Sequence, residues 1–324
     1  MDILEFCKET TCIYSPEYRI KYCTVIKNKE DKLVLIANRS ERSFFTLDTT
    51  ELLVDDKIHV ILNKRHSISH NFTVFYDKDK TVFYGVGGLC RNQGIYKSRI
   101  TKEDESINKG IYLLKSDDLY NWTNVVDGPV ISIEKGPADG VISMEEKFPQ
   151  FDSNLCCFYS RLLDKYILFC RANIYKGSRS IQITTSDDLI TWTNFKLLQI
   201  ENYDAKKRNN LYMSKFVELY DEKLFIGLTV FTNKDTGNPT EKYIKILASK
   251  DSINWYDCGK FIDCEMYKDG QHATTHVGDI IVDEDEIIVY IHNNYLQPNQ
   301  TIVSYRFNKK EFLSKILEGK DITI

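Results

Sequence analysis

Long apolar runs are missing from this 324-residue chain, and no stretch approaches the ~18 consecutive apolar residues of a membrane-spanning helix. A basic surplus is missing as well. Lys and Arg number 43 against 47 Asp and Glu, a net charge of -4, which argues against a general nucleic-acid binder. Neither nucleic acid nor membrane is therefore expected as a partner. Metal-type cysteine spacing is absent: the 9 cysteines form no CxxC pair, and an odd number cannot all pair within one molecule. The opening residues, MDILEFCKETTC, show no charged leader ahead of a long apolar core. Together these features predict free thiols and a cytoplasmic location. Proline (6) and glycine (15) are scarce, so other residues must make the turns. What the chain does have is strand material: 20 Tyr, 17 Phe, and Ile or Val in most short runs. At 42% hydrophobic it has too much apolar material for a disordered protein.

A repeat organises this material. Residues 111–123 read IYLLKSDDLYNWT, residues 181–193 read IQITTSDDLITWT, and residues 244–256 read IKILASKDSINWY. The 3 tryptophans of the chain, Trp122, Trp192 and Trp255, fall one in each copy. Each copy reads as a strand, then a turn opened by Ser and Asp, then a Trp that starts the next strand and covers the outer edge of the sheet. Two further strands precede each copy: 71–77 with 81–87, 154–160 with 165–171, and 212–220 with 223–230. Segments 277–283 and 286–292 supply another pair after the last Trp. Four antiparallel strands per unit of about 65 residues predict propeller blades. The expected fold is all-β: a single five-bladed β-propeller domain over residues 1–324, with blades near 19–63, 69–130, 151–199, 211–262 and 272–318. The first blade is expected to be completed by a strand from the C-terminal end.

Blade topology sorts the polar residues by face. The Ser-Asp-Asp-Leu turns lie on one face, so Asp117, Asp118, Asp187 and Asp188 read as structural although they resemble carboxylate pairs. The opposite face carries the long polar connections and the starts of the inner strands, where a central funnel is the default binding site. His70, Asn71, Asp152, Tyr212, His272 and His276 fall at those starts, and Arg91, Arg171, Arg179 and Asn173 on neighbouring loops and strand ends. An acid, imidazole, guanidinium and aromatic set of this kind can hold a sugar by planar hydrogen bonds and an aromatic platform. The spacing of the three histidines fits no short metal motif, so hydrogen bonding to substrate is the expectation and no metal or other cofactor is assigned.

At these residues the chain resembles the five-bladed β-propeller glycoside hydrolases, the superfamily containing families 32, 43, 62 and 68, and within it uncharacterised propeller proteins related to family 32. The carrying segments are 69–77, 110–122, 151–192, 249–255 and 275–298, and the tail 306–319 resembles the family's last strands. The resemblance implies a glycosidase in which one carboxyl group protonates the leaving oxygen and a second acts as nucleophile or activates water. Asp152 of the FDS segment is the first candidate. Glu265 and Asp269, ahead of His272 and His276, lead the candidates for the second, with Glu145, Glu146, Glu201 and Asp204 behind them. His70, Asn71, Arg91, Arg171, Arg179, Tyr212, His272 and His276 are the expected substrate-binding residues. The first inner strand opens with His70-Asn71 where family 32 proper places an aspartate, and the Arg-Asp-Pro and Glu-Cys motifs have no counterpart. The alternatives are a carbohydrate-binding propeller without catalysis and a protein-interaction scaffold.

Overall fold

The computed structural model describes residues 3–15, 20–39, 49–54, 57–62, 71–88, 110–132, 151, 154–174, 178–204, 209–233, 241–265, 274–295, 297 and 299–322. The chain divides into two compact units. One comprises Ile20–Tyr175 with Gln182–Lys196, the other Met1–Arg19, Lys176–Ile181 and Leu197–Ile324.

Strands dominate both. A 3-10 turn (Ile3–Phe6) leads into β1 (Glu9–Tyr14). An antiparallel meander follows, of β2 (Ile20–Lys27), β3 (Leu33–Arg39), β4 (Thr49–Val54) and β5 (Lys57–Leu62). The second sheet orders β6 (Thr73–Asp77), β7 (Val82–Gly87) and β8 (Gly110–Ser116), with the short β9 (Thr123–Asn124) and β10 (Ile131–Ser132) both on β8. Next come β11 (Cys156–Ser160), β12 (Lys165–Asn173) and β13 (Arg179–Ser186), with β14 (Lys196–Leu197) on β13. A further meander runs β16 (Asn209–Leu219), β17 (Leu224–Asn233), β18 (Lys242–Ser249) and β19 (Asn254–Asp263), and β15 (Gln199–Ile200) joins β19 in parallel. The last sheet is β20 (His276–Val282), β21 (Glu286–Asn293) and β22 (Thr301–Asn308), followed by the helix α1 (Lys309–Ile316).

Two findings differ from the sequence expectation. It is β1 that pairs antiparallel with β22 and completes the last sheet, while β2–β5 form a sheet without help from the C-terminal end. The tail expected to be strand turns helical after Asn308. The Asn308 side chain accepts a hydrogen bond from the Glu311 amide, capping the helix, and Phe312, Leu313 and Ile316 bury one face of it.

The turns show how a glycine-poor chain reverses direction. Asp31, Thr81, Asp164 and Lys223 close four strand hairpins, each with a left-handed backbone (φ 61°, 55°, 53° and 50°). The repeated Ser-x-Asp turn is built the same way three times. Ser116 Oγ accepts from the amides of Asp118 and Leu119, Asp118 Oδ1 accepts from those of Tyr120 and Asn121, and Trp122 Nε1 donates to Leu119 O at 2.8 Å. Ser186, Asp188 and Trp192 repeat the pattern, as do Ser249, Asp251 and Trp255. Burial pushes the Asp118 carboxyl up, but the hydrogen bonds from Asn121, Tyr120 and Ser116 outweigh it and hold the group down at about 2. Asp118 and Asp188 are thus structural, as their place in the turn predicts.

Trp122 and Trp255 do not simply cover an outer edge. They reach inward across the sheet. Trp255 of β19 meets Phe216 of the inner strand β16 edge-on, ring centroids 5.0 Å apart, and Trp122 meets Phe72 in the same way at 5.2 Å. A glycine lies beneath each contact. A Cβ on Gly227 would sit 2.5 Å from Phe216, and one on Gly85 would sit 2.2 Å from Phe72. Val34, Ile36 and Leu52 of the first sheet pack with Phe72, Val74, Phe83 and Leu114 of the second to form one core of the first-named unit.

Candidate functional site

The starts of the inner strands carry a recurrent irregularity. The pairing of β16 with β17 slips by one residue between Tyr212 and Lys215, that of β20 with β21 between Val277 and Asp279, and that of β2 with β3 between Ile20 and Cys23. Such bulges re-aim side chains and end regular pairing. At β20 the slip places His276 directly opposite His292.

Around that pair, the unit containing Leu197–Ile324 gathers five planar side chains. The Arg179 guanidinium lies over the Tyr212 ring, 5.0 Å from its centroid. Tyr212 stands edge-on to His276 at 5.6 Å, His276 edge-on to Tyr295 at 4.2 Å, and Tyr295 edge-on to His292 at 5.5 Å. Exposure falls along this series. Arg179 and Tyr212 are half-buried, whereas His276, Tyr295 and His292 are buried. Burial without compensation pushes His292 down to about 3, so its imidazole is neutral.

Main-chain bonds fix the members. Arg179 opens β13 and pairs in parallel with Asn210, and its carbonyl accepts from the Tyr203 hydroxyl at 2.7 Å. The Tyr295 amide donates to Thr274 O at 2.8 Å, and the Thr274 amide donates to Glu265 O at 2.7 Å. Glu265 itself is exposed, in the stretch that follows β19. Its backbone is thereby tied to the segment that opens β20.

The other unit holds Asn71 and Arg171. Asn71 is fully buried with a left-handed backbone (φ 57°) ahead of β6. Arg171 is buried in β12, and its carbonyl accepts from Gln182 Nε2 at 3.1 Å. Nearby inner-strand polar groups are bonded to one another: Asn154 Nδ2 donates to Cys23 O at 3.2 Å, and the Thr24 and Thr73 hydroxyls are 2.9 Å apart.

Of the residues expected from the sequence, the structure brings together Arg179, Tyr212 and His276 and ties Glu265 to their neighbourhood. Asp152, Asp269, His70, Arg91 and His272 lie outside the described residues. Glu201 accepts from Lys320 Nζ at 2.8 Å and from the Asp257 amide, and the Lys320 bond leads the effects that lower its pKa. It is occupied in holding the C-terminal segment. His292 and Tyr295 were not singled out from the sequence. Their signal is there: the HNNY run ends the strand paired with β20, but a one-residue bulge decides which of its side chains faces His276.

No protein-family model matches the chain, and no curated protein sequence does. Solved structures do. An N-acetylgalactosamine deacetylase from F. plautii, solved with blood group B trisaccharide, is similar over 97% of this chain and 97% of its own at 12% identity, with a TM-score of 0.60. The alpha-L-arabinanase of Penicillium chrysogenum, complexed with arabinobiose, is 10% identical over 94% of this chain and 99% of its own, TM-score 0.56. The GH93 alpha-L-arabinofuranosidase of Fusarium graminearum, also with arabinobiose, is 12% identical over 94% and 99%, TM-score 0.54. At these identities the likeness establishes the fold: the chain is a mainly β protein with the propeller-like fold of these structures.

Proposed function

We propose that this protein is a carbohydrate-active five-bladed β-propeller, related to family 32, that cleaves or transfers a glycosidic bond. The observation that carries the reading is the fold-wide likeness, over 94–97% of the chain, to structures holding arabinobiose or a blood-group trisaccharide. Five antiparallel meanders, two of them joined in one sheet by the pairing of β13 with β16 and four of them beginning with a tight hairpin on a left-handed residue, support five blades in one domain. The cluster of Arg179, Tyr212 and His276, with the cation over the Tyr212 ring, supports sugar binding by aromatic and charged side chains. Asn71, Arg171, His70, Arg91 and His272 complete the proposed binding set.

Chemistry in this reading belongs to carboxylates. One carboxylic acid gives its proton to the glycosidic oxygen as the C–O bond breaks, and the other, ionised, attacks the anomeric carbon or deprotonates the attacking water. Asp152 is the first of the pair, and Glu265 or Asp269 the second. A separation of about 5–5.5 Å would give retention and about 6.5–9.5 Å inversion.

The test is turnover of a panel of oligosaccharides by the full chain, read by mass spectrometry. Wild type should release shortened products, and Asp152→Asn should lose at least about a hundredfold in rate with unchanged circular dichroism. An Asp152→Asn variant as active as wild type removes Asp152 from the mechanism. The missing Arg-Asp-Pro and Glu-Cys motifs favour a second reading, binding without catalysis, which saturable binding on a glycan array with no product would select.

A further inference from the structure

Strand β1 carries a pair of thiols that the carbohydrate site does not use. Among the described residues, Cys12 is the exposed cysteine, Cys7 and Cys258 are half-buried, and the others are buried. Cys7 Sγ donates to Glu9 O at 3.1 Å and lies 3.5 Å from Thr10 Oγ1. Thr10 and Cys12 pair with Tyr305 and Val303 without a register shift between them, so their side chains share one face of the strand. The contact with Thr10 brings the Cys7 sulfur to that same face. The two thiols are therefore neighbours across one same-face step, about 7 Å along the strand. A disulfide needs its Cα atoms within about 7 Å, whereas the paired run Glu9–Cys12 alone is stretched over about 10 Å. Bond and ladder thus compete for the same residues. Closing the ring buckles residues 8–12, and a buckled run cannot keep its register against Val303–Arg306. The strand also has little to lose. Glu9 to Ile13 are all exposed, Tyr14 is half-buried, and the pairing slips just past Cys12. Besides the ladder, its near end is held by polar contacts: the Lys8 amide donates to Arg306 O at 2.8 Å, and Arg306 Nε lies 3.7 Å from Glu9 Oε2. Edge segments of this kind are the first to open in a native protein.

We infer that Cys7 and Cys12 make β1 a redox-sensitive clasp: as thiols they leave the strand on β22, and as an intramolecular disulfide they draw it off that edge. The oxidant is a low-molecular-weight disulfide such as oxidised glutathione. The exposed Cys12 attacks as its thiolate, which breaks the glutathione S–S bond, forms a mixed disulfide and expels one glutathione thiolate. The Cys7 thiolate then attacks the Cys12 sulfur, forming the Cys7–Cys12 bond and expelling the second glutathione. The protein gives up two electrons and two protons, and glutathione takes them. The clasp is independent of the sugar chemistry.

The full chain, equilibrated in glutathione buffers of increasing oxidised fraction, tests this. Thiols are trapped by alkylation and the products mapped by peptide mass spectrometry, while hydrogen exchange reports on the strands. Wild type should acquire a Cys7–Cys12 bond, lose two hydrogens in that peptide, and recover them on reduction. In the oxidised form the β22 amides that face β1 should exchange at least about tenfold faster, with those between β20 and β21 unchanged. Cys12→Ser should abolish both effects. Arg306→Gln, which loosens the near end of β1, should form the bond at an oxidised fraction at least about twofold lower, because the ladder opposes it. A Cys7–Cys12 bond with unchanged exchange at β22 overturns the coupling to strand release, as does an unchanged midpoint in Arg306→Gln. A glutathione adduct or a cross-linked dimer in place of the internal bond overturns the pairing of the two thiols. Failure of any bond to form between them, even in fully oxidised glutathione, overturns the clasp altogether.

Discussion

Replacing Gly227 with alanine places a methyl carbon 2.5 Å from both Cδ1 and Cε1 of Phe216 and 3.3 Å from Cζ3 of Trp255. Ordinary contact needs about 1 Å more on the Phe216 side. The ring has nowhere simple to go, because it is only 4% exposed and stands edge-on to Trp255, itself 2% exposed. Overpacking of this kind costs about 1–3 kcal/mol. Phe216→Leu alone should also destabilise, by about 1–2 kcal/mol for the lost ring. The two changes should compensate each other, since leucine vacates the space that the methyl needs. The double variant is then more stable than the sum of the singles by about 1 kcal/mol or more. Urea unfolding followed by tryptophan fluorescence, fitted with a common m-value, gives each free energy. Strict additivity would refute the claim that Gly227 exists to admit Phe216. The third sheet shows the same trade in reverse. Four residues after the left-handed hairpin residue stands Leu168 rather than glycine, and its cross-strand partner is the small Cys157 rather than Phe216's aromatic ring.

Other consequences can be measured in the same way. Asp188→Ala removes two amide hydrogen bonds and the Ser186 contact, and should cost about 1–2 kcal/mol with no effect on glycan binding, read by chemical denaturation. His292 is held at about 3 in the folded state, whereas an unfolded histidine titrates near ~6.5. The unfolded chain therefore takes up a proton first, and stability present above pH ~6.5 should drain away as the pH falls towards 3, by up to about 1.4 kcal/mol per pH unit. Scanning calorimetry from pH 7 to 4 should show this slope, and His292→Leu should flatten it. Asp118, held at about 2 against ~3.9 unfolded, adds a smaller, solvent-screened loss confined to lower pH, between about 4 and 2. Deleting residues 9–14 bares the edge of β22, so the shortened chain should both melt earlier and associate in light scattering.

Repetition made much of the fold legible in the sequence. The hairpins 71–87, 154–171, 212–230 and 277–292 coincide with β6–β7, β11–β12, β16–β17 and β20–β21, because short apolar runs and the charged turns between them are local signals. The helix α1 was missed although its cap and apolar spacing are also local; the resemblance of the tail to a strand outweighed them. What local patterns cannot carry is pairing between distant segments. Nothing in ETTCIY says that it will lie against residues 302–306. The same holds for the site. Arg179, Tyr212 and His276 were visible as polar residues at strand starts, but His292 and Tyr295 join them through a bulge, and a one-residue slip has no signature in composition. The tryptophans were recognised as anchors and assigned to the outer edge of the sheet, whereas Trp122 and Trp255 lean across it, because spacing along the chain does not say which way a side chain leans.

The pairing of β1 with β22 also sets a timetable. Thr10 lies opposite Tyr305, so β1 precedes every other described strand and its neighbour β22 follows them all. A growing chain on the ribosome would hold β1 as an unpaired edge until nearly every other strand had emerged. Its residues fit that wait, for Glu9, Thr10, Thr11 and Cys12 are all exposed and only Cys12, Ile13 and Tyr14 are apolar. The slowest step of folding should then be the capture of β1 by β22, and it should respond to changes in these two strands rather than in those between them.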